Sequence, residues 1–131
     1  MIIETAHAKI NFTLSVGSKR ADGYHSIDSL MHSISLSDRI TLTKAEAITL
    51  SVTEGAAERF FEETGLSGGV SMTLAKRIPS EAGMGGGSSD AAAVLRGLAR
   101  LYETDLSLAT LARWGASLGA DIPFCVVAGA A

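Results

Sequence analysis

The first half of the chain alternates polar and apolar residues, which is the pattern of half-buried β-strands. The segments that follow it most regularly are residues 8–16, 39–43, 48–52 and 70–74. Residues 27–36 are also extended in character, although their alternation is poorer. A short helix is predicted over residues 58–64, because Gly65 stands where a glycine commonly ends a helix. The first half therefore predicts a sheet accompanied by one short helix.

The second half of the chain changes to helical spacing. Apolar residues recur at every third or fourth position over residues 88–101, and residues 107–118 predict a second helix. Asp90 is expected in the first turn of the earlier helix, where negative charge is favoured. Residues 122–127 form a short apolar run that predicts a buried strand. A β-rich half followed by helices predicts a single two-layer α+β domain.

Composition narrows the classes of function. The chain has 131 residues, of which 47% are hydrophobic and 19% charged, and this suits one domain with an ordinary core. Its 11 basic and 14 acidic residues give a net charge of -3 without a basic stripe, so nucleic acid is not an expected partner. The longest apolar stretch, residues 122–128, is interrupted by Pro123 and is too short to span a membrane. The lone Cys125 excludes an internal disulfide, and the lack of a leader pattern predicts a cytoplasmic protein.

The most informative stretch is a glycine-rich segment, residues 79–93, that leads into a predicted helix. Four glycines within five positions permit backbone angles that other residues resist, so several N–H groups can point into one concavity. The N-terminal end of the helix adds unpaired amides and the positive end of its dipole, and the whole cradle suits phosphate. The predicted phosphate-binding residues are Pro79, Gly83, Met84, Gly85, Gly86, Gly87, Ser88 and Ser89.

Two well-known phosphate loops fit this segment poorly. A Walker A loop requires a lysine near its end, and no lysine occurs from residue 78 to residue 131. The dinucleotide fingerprint G-x-G-x-x-G nearly fits from Gly83, but Ser88 occupies its last glycine position. That fingerprint also requires a second parallel strand, whereas a second helix is predicted here. The dinucleotide interpretation and a plain surface loop between strand and helix stay open as alternatives.

Separated motifs together resemble the GHMP kinases, which are small-molecule kinases for galactose, homoserine, mevalonate and phosphomevalonate. The motifs are Ala-Lys-Ile-Asn at residues 8–11, Arg-Ala-Asp-Gly-Tyr-His at residues 20–25 and P-x3-G-x-G-G-G-S-S-D-A-A from residue 79. They are most similar to members whose substrate is 4-diphosphocytidyl-2-C-methyl-D-erythritol, in the non-mevalonate isoprenoid pathway. The resemblance implies a fold like the second domain of ribosomal protein S5 and transfer of phosphate to a hydroxyl. It also implies ATP as cofactor, with Mg²⁺ carried on its phosphates.

The resemblance assigns roles to residues whose spacing alone says little. Lys9 would otherwise be a solvated strand lysine, and Asp121 a turn residue between helix and strand. The family's catalytic pair carries over to these two residues, with Asp121 orienting or accepting the hydroxyl proton and Lys9 keeping Asp121 ionised. On the substrate side, Tyr24 would stack on the cytosine, His25 would hydrogen-bond its edge and Asn11 would contact the substrate.

The length of the chain sets a further expectation. Kinases of this family have a second, C-terminal domain, so residues 1–131 correspond to the N-terminal domain that binds ATP and substrate. A surface normally covered by the C-terminal half would favour a homodimer or a complementing C-terminal half as partner. A non-catalytic nucleotide-binding module stays as an alternative. Another GHMP kinase, of the homoserine or mevalonate type, is the other alternative.

Side chains outside the motifs carry expectations of their own. Phe60, Phe61 and Trp114 are expected in or beside the core. The Lys76–Arg77 pair that precedes the glycine-rich segment is expected to be solvated. The three histidines have no paired spacing, so a protein-held transition metal is not expected.

Overall fold

The three-dimensional description is a computed structural model of the chain. It describes residues 1–19, 25–48, 54–79 and 86–129, with the backbone alone between residues 10 and 32. The predicted strand over residues 48–52 falls almost entirely outside the described residues. The elements are β1 (Ile2–Lys19), β2 (His25–Ala45), α1 (Glu54–Thr64), β3 (Gly69–Ala75), α2 (Gly86–Leu101), α3 (Leu108–Ala116) and α4 (Ile122–Ala128).

The three described strands form one antiparallel sheet in the order β1-β2-β3. β2 lies in the middle and is one strand of 21 residues, so it joins the two extended segments predicted over residues 27–36 and 39–43. Its register pairs Leu42 with Ile2 on one side and with Met72 on the other. The alternation of the sequence is kept here, because Ile40 and Leu42 are fully buried.

A register irregularity interrupts β1 between His7 and Lys9. The pairing moves from His7 opposite Ser37 to Lys9 opposite Ser33, so that β2 supplies more residues than β1 across this interval. A bulge of this kind interrupts the alternation of side chains between the two faces of the sheet. Ala8 and Lys9 are accordingly consecutive residues that are both buried. The alternative in which Lys9 is a solvated strand lysine therefore does not hold, and the pleat irregularity supplies the reason.

The helices pack on one face of the sheet around α2, which contacts β1, β2, α1, α3 and α4. α2 is buried on nearly every side from Ala92 to Ala99. An aromatic group lies at the edge of this core, where the ring of Phe60 meets Phe61, Tyr102 and Trp114 at centroid distances of 5.5 to 6.4 Å. Phe60 and Trp114 are buried, which confirms the prediction that these aromatic residues are core or half-core.

The C-terminal element differs from the sequence-based expectation. Residues 122–127 were predicted as a buried strand, but Ile122–Ala128 forms helix α4. Pro123 lies in its first turn, where the missing N–H costs nothing because that group would be unpaired in any case. The amide of Cys125 donates to the carbonyl of Asp121 at 3.2 Å and so starts the helix. A short apolar run fits either element by periodicity alone, so the proline is the stronger signal.

Other boundaries move by a few residues. α2 begins at Gly86, two residues before the predicted start, which places Asp90 beyond the first turn in which it was expected. α1 begins at Glu54 instead of residue 58, and it ends as predicted before Gly65, whose φ is +69°. α3 is the predicted helix, with Ser107 as its N-cap accepting from the amide of Thr110.

We expect Gly69→Ala to destabilise the domain by about 1–3 kcal/mol, the usual cost of overpacking. A Cβ added at Gly69 would lie 2.3 Å from the carbonyl carbon of Ala47, and this backbone contact cannot be relieved by a side-chain rotation. Gly55→Ala is the matched control, because its nearest neighbour would be a Leu118 methyl at 4.0 Å. Urea unfolding of both variants tests the difference, and equal midpoints for the two would refute it.

Candidate active site

Lys9 and Asp121 form an ion pair between β1 and the residue that precedes α4. Nζ of Lys9 lies 3.1 Å from Oδ2 of Asp121. Asp121 is the N-cap residue of α4 but makes no side-chain capping bond, so its carboxylate is available for this pair. The side chain of Lys9 is only 4% exposed whereas that of Asp121 is 43% exposed. The pair therefore presents a carboxylate to solvent over a buried ammonium group.

The N-terminal end of α2 is built from glycine. A Cβ added at Gly86 would lie 2.8 Å from Nζ of Lys76 and 3.1 Å from a methyl of Ile78, so a side chain fits there only if Lys76 or Ile78 moves. Gly87, the next residue, is exposed and has open space around its Cα. The first amides of a helix have no partner within the helix and carry the positive end of its dipole. This end of α2 can accept an anion such as phosphate.

The two serines that follow have different surroundings. Oγ of Ser89 donates to the carbonyl of His7 at 2.6 Å, and Ser89 is buried. This bond joins the first turn of α2 to β1 two residues before Lys9. Ser88 is half-buried and lines a cavity. The hydrogen bond of Ser89 thus helps to hold α2 against β1, whereas the hydroxyl of Ser88 borders the cavity at the start of α2.

A cavity of about 400 Å³ opens at the N-terminal end of α2. It is lined by Gly55, Ala56, Gly87, Ser88, Ala91, Leu118, Gly119 and Ile122. A slightly larger cavity of about 470 Å³ lies toward the other end of α2, between Glu4, Arg96 and Leu111. We assign the candidate site to the former because its walls include the glycine-rich helix start and the segment on either side of Asp121.

A second ionic cluster, which the sequence did not predict, lies beneath the helix start. Nζ of Lys76 is 2.7 Å from Oδ2 of Asp38 and 3.1 Å from Oδ2 of Asp90. Both carboxyl side chains are fully buried, whereas Lys76 and Arg77 are exposed as expected. The contact of the Lys76 ammonium with two buried carboxylates is what the sequence did not predict. The one local sign of this cluster in the sequence is Asp38, an acidic residue between the extended segments predicted over residues 27–36 and 39–43.

The buried environment sets the protonation of this cluster. Burial raises the pKa of Asp90 to about 7, with a further contribution from its hydrogen bond with Asp38. Burial acts in the same sense on Asp38, but its hydrogen bonds to Asp90, to the amides of Ile78 and Arg77 and to Lys76 outweigh it and lower its pKa. The same two carboxylates raise the pKa of Lys76 against the opposing effect of burial.

The remaining predicted site residues are placed only in part. Asn11 lies on β1 opposite Met31, and His25 begins β2 opposite Lys19, with only their backbone described. Pro79 is described and exposed. Tyr24, Gly83, Met84 and Gly85 lie outside the described residues.

The described segments lack two kinds of feature. No group of three or more His, Cys, Asp or Glu side chains there could hold a metal ion. No helix in those segments has the length and apolar character needed to cross a membrane.

The fold and the site are thus a sheet covered by helices, with the buried Lys9 paired to the half-exposed Asp121 near the glycine-rich start of α2. Residues 51–129 match the family described as "GHMP kinases N terminal domain". The chain belongs to the GHMP kinase family, as its motifs implied.

Similar proteins agree with this assignment. A putative 4-diphosphocytidyl-2-C-methyl-D-erythritol kinase of Staphylococcus aureus (strain bovine RF122 / ET3-1) is 44% identical over 140 residues, covering 96% of this chain and 50% of that protein. A crystal structure of 4-(cytidine 5'-diphospho)-2C-methyl-D-erythritol kinase has a TM-score of 0.77 at 38% identity, covering 96% of this chain and 49% of that one. A crystal structure of mevalonate kinase shares the fold, with a TM-score of 0.68 at 12% identity. That match covers 95% of this chain and 47% of the mevalonate kinase chain. The predicted α+β fold is confirmed, and the chain spans about half the length of the curated relatives it matches.

Proposed function

We propose that this chain is the ATP- and substrate-binding part of a kinase that phosphorylates a hydroxyl of 4-diphosphocytidyl-2-C-methyl-D-erythritol. The observation that carries the proposal is the pair of Lys9 and Asp121, with 3.1 Å between Nζ and Oδ2. Phosphoryl transfer needs a positioned acceptor hydroxyl and neutralisation of charge on the migrating group, and this pair supplies a group for each task. The choice of acceptor is supported by relatives of 44% and 38% identity that carry its name.

The helix start provides the residues for the nucleotide. Gly86 lets Lys76 and Ile78 pack against the start of α2, Gly87 leaves open space for a phosphate group near the first amides of the helix, and Ser88 borders the same cavity. Pro79, Gly83, Met84 and Gly85 belong to the same proposed phosphate-binding segment. ATP, when bound, supplies the γ-phosphoryl group, and Mg²⁺ held largely by its phosphates neutralises part of their charge.

The ion pair provides the residues for the acceptor. The half-exposed carboxylate of Asp121 orients the substrate hydroxyl and receives its proton. The buried ammonium of Lys9 keeps Asp121 ionised and stabilises the charge that develops on the transferring oxygen atoms. We extend the proposal to Asn11 as a substrate contact, to Tyr24 as the stacking partner of the cytosine and to His25 as its hydrogen-bonding partner.

A nucleotide-binding module without catalysis is the second candidate. It is favoured by one observation, that the open space beside Gly87 and Ser88 at the start of α2 can hold a phosphate group independently of the pair of Lys9 and Asp121. A C-terminal half, on the same or another chain, or a second copy of this chain would then complete the site. The two candidates share the phosphate cradle and differ in whether the acceptor is turned over.

Acceptor-dependent release of ADP by the purified chain distinguishes these candidates. We expect release with ATP and 4-diphosphocytidyl-2-C-methyl-D-erythritol, and none when mevalonate or homoserine replaces it. ATP binding without turnover of any acceptor would support the module. Turnover of mevalonate or homoserine, without thermal protection of the protein by cytidine compounds, would move the assignment to another GHMP kinase.

A further inference from the structure

Asp38, Lys76 and Asp90, here called the anchor cluster, join three separate elements beneath the glycine-rich segment. Asp38 lies on β2, Lys76 directly follows β3, and Asp90 lies in α2. The ammonium of Lys76 contacts one oxygen of each carboxylate, at 2.7 and 3.1 Å. Both carboxyl side chains are fully buried and the lysine is one-third exposed. The two carboxylates are more buried than those of a surface ion pair, so packing fixes their positions while the lysine reaches them from the solvent side.

The anchor cluster holds both ends of the glycine-rich segment. The second oxygen of Asp38 accepts from the amides of Arg77 at 2.6 Å and Ile78 at 2.8 Å, which fixes the chain as it enters the segment. Lys76 binds Asp90 in α2, and its ammonium packs where a side chain at Gly86 would be. The chain that leaves β3 and the chain that starts α2 are therefore joined through Lys76, whose ammonium contacts both Asp38 and Asp90.

The charge of the anchor cluster depends on one proton. Lys76 and Asp38 balance each other, so an ionised Asp90 adds one uncompensated negative charge close to the helix start. Oδ1 of Asp90 is buried and has no hydrogen-bond partner among the described residues, which disfavours the ionised form. Burial and the hydrogen bond with Asp38 raise the pKa of Asp90 to about 7, so its charge changes near neutral pH.

We propose that Asp38, Lys76 and Asp90 are positioning residues for the nucleotide, which join the end of β3 to the start of α2 and set the charge at that helix start. The inference rests on the proposed function, because it takes ATP as the ligand of the helix start. With Asp90 protonated the cluster is neutral and the dipole of α2 attracts phosphate without opposition. With Asp90 ionised, the added negative charge opposes phosphate binding.

The other charged groups around α2 have partners of their own. Asp38 and Lys76 are the charged groups that act on Asp90. On β1, Lys9 is paired with Asp121, and Glu4 forms ion pairs with Arg96 and Arg100. The ring of His7 is hydrogen-bonded to the carbonyl of Ile34. On α1, Arg59 is paired with Glu63. Asp90 is therefore the group at the start of α2 whose raised pKa, about 7, places its change of charge near neutral pH.

Titration calorimetry of ATP, with Mg²⁺ present, tests the inference on the wild-type chain and on Asp90→Asn. Asparagine has the shape of a protonated aspartate and stays neutral at every pH. We expect the ratio of wild-type to variant Kd to be about 1 near pH 6 and to rise to about threefold to tenfold near pH 8.5, as expected for one nearby partly screened charge. The titration of ATP itself is common to both proteins and cancels in this ratio. Asp105→Asn, an exposed position between α2 and α3, is the control and should leave the ratio near 1 throughout.

The outcomes separate this inference from the proposed function. ATP binding with a Kd ratio that does not change with pH would overturn the inference and leave the proposed function standing. Absence of ATP binding by both proteins at every pH would overturn the proposed function, and the inference with it.

A second measurement uses the wild-type chain alone and needs no folded variant. Carboxyl ¹³C resonances followed by NMR should show Asp90 titrating near neutral pH, and bound ATP should move that titration to higher pH, since coupling between two sites is reciprocal. An Asp90 carboxyl that titrates at the ordinary value of about 4, with and without ATP, would overturn the inference.

Discussion

Asp121→Asn should reduce acceptor-dependent ADP release by about 10²- to 10⁴-fold, the usual contribution of a positioned general base. Asparagine retains the shape of the side chain and an oxygen that can accept from Lys9, but it cannot take the proton of the acceptor hydroxyl. It also removes the negative charge that Lys9 meets at 3.1 Å. We expect the Kd for ATP to change little, because the nucleotide phosphates are assigned to the start of α2 and not to Asp121.

Two measurements make this expectation specific. Asp105→Asn has the same change of charge at an exposed position between α2 and α3, and it should leave ADP release unchanged. The melting temperature of Asp121→Asn should be compared with that of the wild type, so that loss of activity is not confused with unfolding. A folded Asp121→Asn protein with normal activity would contradict the catalytic assignment.

The phosphate cradle is the part of the site that the sequence predicts best. Its signals are local, since the glycines, the serines and the start of a helical repeat stand next to one another in the chain. The structure places the helix start at Gly86, within two residues of the prediction. Local chemistry of this kind needs no knowledge of which distant segment packs against it.

The pairing of Lys9 with Asp121 could not be predicted from periodicity. Alternation along β1 puts Lys9 opposite to Ile10 and therefore toward solvent, and only the register shift after His7 turns it inward. That shift depends on how β2 pairs with β1, which is a non-local property of the sheet. The resemblance to the GHMP kinases predicted that Lys9 and Asp121 form a pair, which periodicity alone did not.

The anchor cluster was missed for the same physical reason. Asp38, Lys76 and Asp90 each look like ordinary polar residues in their own segments, and their burial arises when β2, β3 and α2 assemble. The wrong prediction of a strand over residues 122–127 has a different cause, because the signal for a helix was local. Pro123 follows Asp121 by two residues and suits the first turn of a helix, whereas a proline is uncommon inside a buried strand.

Arg96→Met should destabilise the domain by about 3–5 kcal/mol, the cost of removing one partner from a buried ion pair. The guanidinium of Arg96 is almost fully buried, and its Nε donates to Oε1 of Glu4 at 2.9 Å. Its other nitrogens donate to the carbonyls of Thr5 at 3.1 Å and of Cys125 at 2.9 Å. One side chain thus joins α2 to β1 and to the last turn of α4.

Loss of Arg96 leaves several polar groups without a donor. Glu4 keeps its contact with the exposed Arg100 but loses its buried ion pair with Arg96. The carbonyls of α4 lose a cationic donor at the C-terminal end of the helix, where positive charge is favoured. A melting temperature lower by about 10–20 °C is expected for a loss of that size in a domain of this length. Arg113→Met, at an exposed position of α3, is the matched control and should change stability by less than about 0.5 kcal/mol.

A double-mutant cycle with Glu4→Gln separates the ion pair from the carbonyl contacts of Arg96. If the pair of Arg96 and Glu4 dominates, the two single losses will not add, and a coupling energy of about 1–3 kcal/mol will remain. If the carbonyl contacts of Thr5 and Cys125 dominate, the coupling will be small and Arg96→Met will stay costly in both backgrounds. Equal stabilities of Arg96→Met and Arg113→Met would contradict both accounts, because a buried guanidinium with four described partners cannot be equivalent to an exposed one.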